Sequence, residues 1–160
     1  MLVPHGAWKI SEAIRMVAET YQTLRAILEK KHQRVSVGDE GGFAPQLQSS
    51  RKVLKILTEA IVETGYEPGH DISIALDFAA NDFYKEEMYL FEKQRWSSLE
   101  MIDYILELSK EFPIVSVEDG LSEEDWDGRA HLTKEENGIG LQCVGDDIIV
   151  TNCSIFQKGI

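Results

Sequence analysis

Four short apolar runs in this 160-residue chain each stop on carboxylates, and that pattern limits what the chain can fold into. Val35-Ser36-Val37 meets Gly38 and then Asp39-Glu40, and Ile72-Ser73-Ile74-Ala75-Leu76 meets Asp77. Ile114-Val115-Ser116-Val117 meets Glu118-Asp119, and Leu141-Gln142-Cys143-Val144-Gly145 meets Asp146-Asp147. Counted between Glu40, Asp77, Glu118 and Asp146, the steps are 37, 41 and 28 residues, each able to hold a strand, a helix and its return loops.

The intervening segments read as helices. Apolar residues at Ile10, Ile14, Val17, Tyr21, Leu24 and Leu28 step by four and three, which predicts a helix over 10–31 with that stripe buried and Ser11 as its cap candidate. Ser49 or Ser50 caps a second helix through Val53, Leu57 and Ile61, ended by Gly65. Leu99, Ile102, Ile105 and Leu108 mark a third, stopped by Pro113, and a polar helix around Trp126 and Leu132 follows. Phe83 to Phe91 has no clear period. Alternating helices and strands imply an α/β fold with parallel strands, whose C-terminal ends share one side of the sheet and bring the acids together.

In a (β/α) barrel that side carries the active site, and several carboxylates close together repel one another unless a cation sits among them. Hard oxygen donors favour Mg²⁺. The competing reading treats each acid as the N-cap of the following helix, which serves any one position well but explains four positions together poorly. An EF-hand is excluded, because no loop has acids at alternate positions with a sixth glycine and a twelfth glutamate. The net charge of −12, from 28 acidic and 16 basic residues, argues against nucleic acid and anionic membrane as partners. Cys143 and Cys153 do not make a disulfide scaffold, and no secretory signal or long apolar span is present, so a cytoplasmic setting is expected. His5, His32, His70 and His131 share no metal-ligand spacing and are expected at the surface or in turns, with the three tryptophans in the core.

The segment Val37-Gly38-Asp39-Glu40-Gly41-Gly42-Phe43-Ala44-Pro45 resembles the GDEGGFAP string of the enolase (phosphopyruvate hydratase) family. The resemblance continues through Ile74 to Asp77 with Ala79-Ala80, Val117 to Leu121 with Asp125-Trp126, and Val144 to Asp147 with Val150-Thr151-Asn152. It implies a partial (β/α)-barrel of the enolase type, parallel strands with helices packed outside, and a Mg²⁺-dependent lyase of glycolysis and gluconeogenesis. That lyase reversibly dehydrates 2-phosphoglycerate to phosphoenolpyruvate and is usually a homo-oligomer. By motif, Glu40 corresponds to the general acid and Asp77, Glu118 and Asp146 to the magnesium ligands.

Phe78, Asn81-Asp82 and Arg129 depart from the usual family residues without replacing a ligand. The resemblance further implies that residues 1–160 are an incomplete C-terminal barrel domain, with the N-terminal domain and last barrel strands outside it. The catalytic lysine belongs to those last strands, so the isolated chain is expected to be inactive. Lys158 is expected within a helix and not at a strand end. A racemase or lactonising enzyme of the same superfamily is disfavoured, since the early strand offers acids where those enzymes use lysine. The other alternative is a non-catalytic truncated or split-gene product that acts as a binding or assembly piece.

Overall fold

A computed structural model describes residues 1–159, which divide into two compact units. One comprises Leu2–Ser73; the other comprises Ile74 onward together with Met1.

The first unit opens with β1 (Leu2–Val3) and is built on two helices, α1 (Ile10–Lys30) and α2 (Ser50–Thr64), packed against each other and joined at the surface by Lys31 Nζ and Glu59 Oε2, 3.1 Å apart. Ser49 caps α2 by accepting from the Lys52 amide, and Gly65 ends it at φ 97°, a left-handed conformation that costs a residue with a Cβ far more than glycine. Helix α1 has no side-chain cap: Lys9 holds the N-cap position, and Ser11 lies inside the helix.

The buried side of α1 also differs from the expected stripe. Met16, Thr20, Ile27 and Leu28 are buried, whereas Ile10 and Ile14 are 76% and 63% exposed. The helix has apolar residues on more than one face, so periodicity alone does not select the side that packs.

The run Val35–Val37 forms no strand. Its one bridge is antiparallel, from Val37 to Phe43. Gly38 N–H donates to the Gly42 carbonyl at 2.9 Å, Gly41 N–H to the Gly38 carbonyl at 3.0 Å, and Ala44 N–H to the Ser36 carbonyl at 2.9 Å, so the segment folds back on itself. Tyr21 of α1 stacks on Phe43 at 4.3 Å between ring centroids and donates from its hydroxyl to the Gly41 carbonyl.

The second unit contains the parallel sheet. Strands β2 (Ser73–Asp77), β6 (Ile114–Glu118) and β7 (Gln142–Val144) lie side by side in that order. Leu76 pairs with Val117, Asp77 with Glu118, and Glu118 in turn with Val144. Helix α3 (Ser98–Glu111) leads into β6 and α4 (Trp126–Ile139) into β7, the order of a parallel βα repeat. Ile102, Ile105 and Leu108 of α3, Val117 of β6 and Leu132 of α4 are buried. Helix α5 (Cys153–Lys158) follows, capped by Asn152 and with Lys158 at its end.

The segment without a clear period is an antiparallel meander, β3 (Tyr84–Lys85), β4 (Met88–Phe91) and β5 (Gln94–Trp96), preceded by a single 3₁₀ turn at Ala80–Phe83. Tyr89 of β4 is fully buried; its hydroxyl donates to Asp125 Oδ2 at 2.7 Å and accepts from the Ser122 amide at 3.1 Å. The architecture is α/β with an open parallel sheet among the described residues. All four histidines are exposed, and none of the three tryptophans is buried in the core: Trp8 is 80% exposed, and Trp96 and Trp126 are half-buried.

Candidate metal centre

Strand register brings the acids of the second unit together. Asp77 and Glu118 end adjacent parallel strands as paired residues, so both carboxylates leave the sheet at its C-terminal edge. Asp119 follows immediately, and one oxygen each from Asp77, Glu118 and Asp119 lie within 4.8 Å of one another. Asp146 stands two residues past the end of β7 and is exposed; its carboxylate lies outside that trio, although its charge reaches both Asp77 and Glu118.

The loops around the trio hold one another. Phe78 N–H donates to the Glu118 carbonyl at 3.0 Å, and Ala80 N–H to the Asp119 carbonyl at 3.2 Å. Ala79, at φ 46°, donates its N–H to Asp77 Oδ1 at 2.9 Å. Asn81, one of the residues that departs from the family pattern, connects three partners. Its Oδ1 accepts from Ser122 Oγ and the Glu123 amide at 3.0 and 2.9 Å, and its Nδ2 donates to Asp147 Oδ2 at 3.4 Å.

Asp119 is 3% exposed and has φ 41°. Its Oδ2 accepts from the Asp147 amide at 2.8 Å, and both its oxygens accept from the Asp146 amide at 3.2–3.3 Å. Arg129 donates to Oδ1 at 3.4 Å and to the Leu121 carbonyl at 2.8 Å. The residues alone do not foretell this role for Asp119, which read as the second half of a doubled acid; its place directly after a strand is the only sequence signal.

The electrostatics are those of crowded like charges. Partial desolvation at the strand end pushes the Asp77 carboxyl above its ordinary range although the side chain is exposed; the Ala79 amide opposes this, and the charges of Asp119, Asp147 and Asp146 add to it. Glu118 is raised by burial first and then by Asp77, Asp119, Asp146 and Asp147. Raised carboxyls next to one another mean that their ionised forms repel, and a cation among them relieves the repulsion. The donors are all carboxylate oxygens, the set that hard divalent cations take and soft metals do not. The paired strand-end carboxylates of Asp77 and Glu118 therefore suit such an ion.

Glu40 lies in the other unit, exposed in the glycine loop after Val37. Among the described residues no lysine ends a parallel strand, since β2, β6 and β7 end on Asp77, Glu118 and Val144.

Away from the acids, Glu136 of α4 is 2% exposed. The Cys143 thiol on β7 donates to its Oε2, and its Oε1 has no hydrogen-bond partner. Burial lifts the Glu136 carboxyl to about 7, against the opposing effects of Cys143 and Arg129, and burial followed by the Glu136 contact pushes the thiol up to about 12. Cys143 is thus a packed, unreactive thiol, and Cys153, the other free cysteine, begins α5.

The sequence of residues 1–160 matches the family model described as enolase, C-terminal TIM barrel domain. A match over the whole length, together with parallel strands that end on grouped carboxylates, places the chain in the family of enolase C-terminal TIM barrel domains.

Proposed function

We propose that the chain carries the magnesium-binding and proton-donating half of an enolase reaction, the reversible loss of water from 2-phosphoglycerate to give phosphoenolpyruvate. The observation that carries this reading is the pairing of Asp77 with Glu118 at adjacent strand ends, with Asp146 on the next loop. Asp77, Glu118 and Asp146 are the proposed ligands. Held there, Mg²⁺ would supply positive charge to offset the negative charge that builds on the substrate carboxylate; base-plus-Mg²⁺ sites of this kind are a known pattern in the enolase superfamily. Glu40 is the proposed general acid, by its place in the GDEGGFAP string. In that role it would deliver a proton to the departing hydroxyl.

The base is not among these residues, because no described lysine ends a parallel strand. The chain alone is therefore expected to bind Mg²⁺ without turning substrate over. The test is phosphoenolpyruvate formation from 2-phosphoglycerate in Mg²⁺, with the chain alone and mixed with a family polypeptide that supplies a strand-end lysine. Activity in the mixture that Glu40→Gln abolishes supports the reading. Activity indifferent to Glu40→Gln, or turnover by the chain alone, contradicts it.

A second reading is a non-catalytic binding or assembly role, which absence of activity in the mixture would support. Two unpaired cysteines suit the reducing cytoplasm where such an enzyme acts.

A further inference from the structure

Asp119 groups by distance with Asp77 and Glu118, yet its surroundings differ from theirs. Asp77 is exposed and Glu118 half-buried, whereas Asp119 is 3% exposed. An ionised carboxylate has about four acceptor positions. Those of Asp119 meet the amides of Asp146 and Asp147 and the guanidinium of Arg129. Its main chain is held as well: its N–H donates to the Val144 carbonyl at 3.2 Å and its carbonyl accepts from Ala80 N–H at 3.2 Å. The left-handed backbone at φ 41° breaks the alternation of β6 just after Glu118, so the two successive acids serve different partners. Drawing this carboxylate onto a cation would strip acceptors from two amides and an arginine at a buried position, a change the fold resists.

We propose that Asp119 is a positioning residue and not a metal ligand: its carboxylate fixes the Asp146–Asp147 turn against the end of β6 and so sets where the Asp146 carboxylate stands. The inference rests on the metal reading of Asp77, Glu118 and Asp146.

The test combines amide hydrogen exchange of the metal-free chain with Mg²⁺ titration calorimetry of the wild type, Asp119→Ala, Asp146→Ala and the double variant. In Asp119→Ala the amides of Asp146 and Asp147 should exchange at least tenfold faster while that of Ile105 in α3 is unchanged; Asp77→Asn should leave all three protected. Mg²⁺ affinity should fall tenfold or more in each single variant. The double variant should bind no more than about threefold worse than Asp146→Ala, because a residue that acts through another adds nothing once that other is gone. Where Asp119→Ala does not fold, Asp119→Asn, which keeps one acceptor oxygen, should retain intermediate amide protection.

Losses that multiply in the double variant would make Asp119 a ligand and overturn the proposal, as would amides that stay protected without it. If Asp146→Ala leaves Mg²⁺ binding unchanged, the ligand assignment fails instead, and amide exchange alone decides whether Asp119 holds the turn.

Discussion

Glu136 gives the chain a pH dependence unrelated to any chemistry at the strand ends. Its carboxyl titrates near 4.5 in an unfolded chain and at about 7 when folded, so between those values the native state holds a proton that the unfolded state has released. Stability is therefore greatest below about pH 4.5 as far as this group is concerned, and it falls as pH rises towards about 7, by at most roughly 3 kcal/mol. Glu136→Gln should flatten that slope and be the more stable protein at about pH 8, checked by urea unfolding at several pH values. A wild-type slope unchanged in the variant would show that the buried charge lies elsewhere. Neither this carboxyl nor Asp119 was legible as special in the sequence. Glu136 sits in a polar helix among Glu135 and Asn137, and only three-dimensional packing decides which of these is enclosed. Asp77 and Glu118 were legible, because an acid that closes an apolar run keeps its place however the helices pack.

At the scale of elements, legibility followed local chemistry. Helix α3 has a full capping box, with Ser97 Oγ accepting from the Glu100 amide and Glu100 Oε2 accepting from the Ser97 amide at 2.7 Å. Ser97→Ala should cost about 1 kcal/mol, measured by chemical denaturation, and Glu100→Gln much less because the reciprocal bond survives. No loss in Ser97→Ala would mean that tertiary contacts alone hold the helix start.

The meander was not legible, because its turns use Glu86-Glu87 and Glu92-Lys93, all at positive φ, where Asn-Gly or Asp-Gly would have announced hairpins. The run at Val35–Val37 failed for the converse reason. Its residues favour a strand, but the glycines after it let the chain close on itself, and no neighbouring strand among the described residues pairs with it.

For the molecule as a whole, the alternation of helix and strand and the acidic strand ends belong to one design, a parallel sheet whose C-terminal edge collects negative charge. The order β2, β6, β7 follows the sequence order of the runs, so neighbouring acids become spatial neighbours. The acidic excess of the chain is partly concentrated there, in carboxyls raised by partial desolvation and by one another. Ile10 and Ile14 of α1 remain exposed, an apolar face that the helical periodicity alone would bury.

A cation held by the folded chain alone stabilises it by about 2.7 kcal/mol at a hundred times its dissociation constant, so binding and stability should rise together. The most direct measurement is a calorimetric Mg²⁺ titration of the wild type, Asp77→Asn and Glu118→Gln, paired with thermal unfolding at each metal concentration. Saturable binding and a rising unfolding temperature are expected in the wild type, with affinity reduced tenfold or more in each variant. Binding indifferent to both substitutions, or no binding at all, would contradict the metal reading of Asp77 and Glu118.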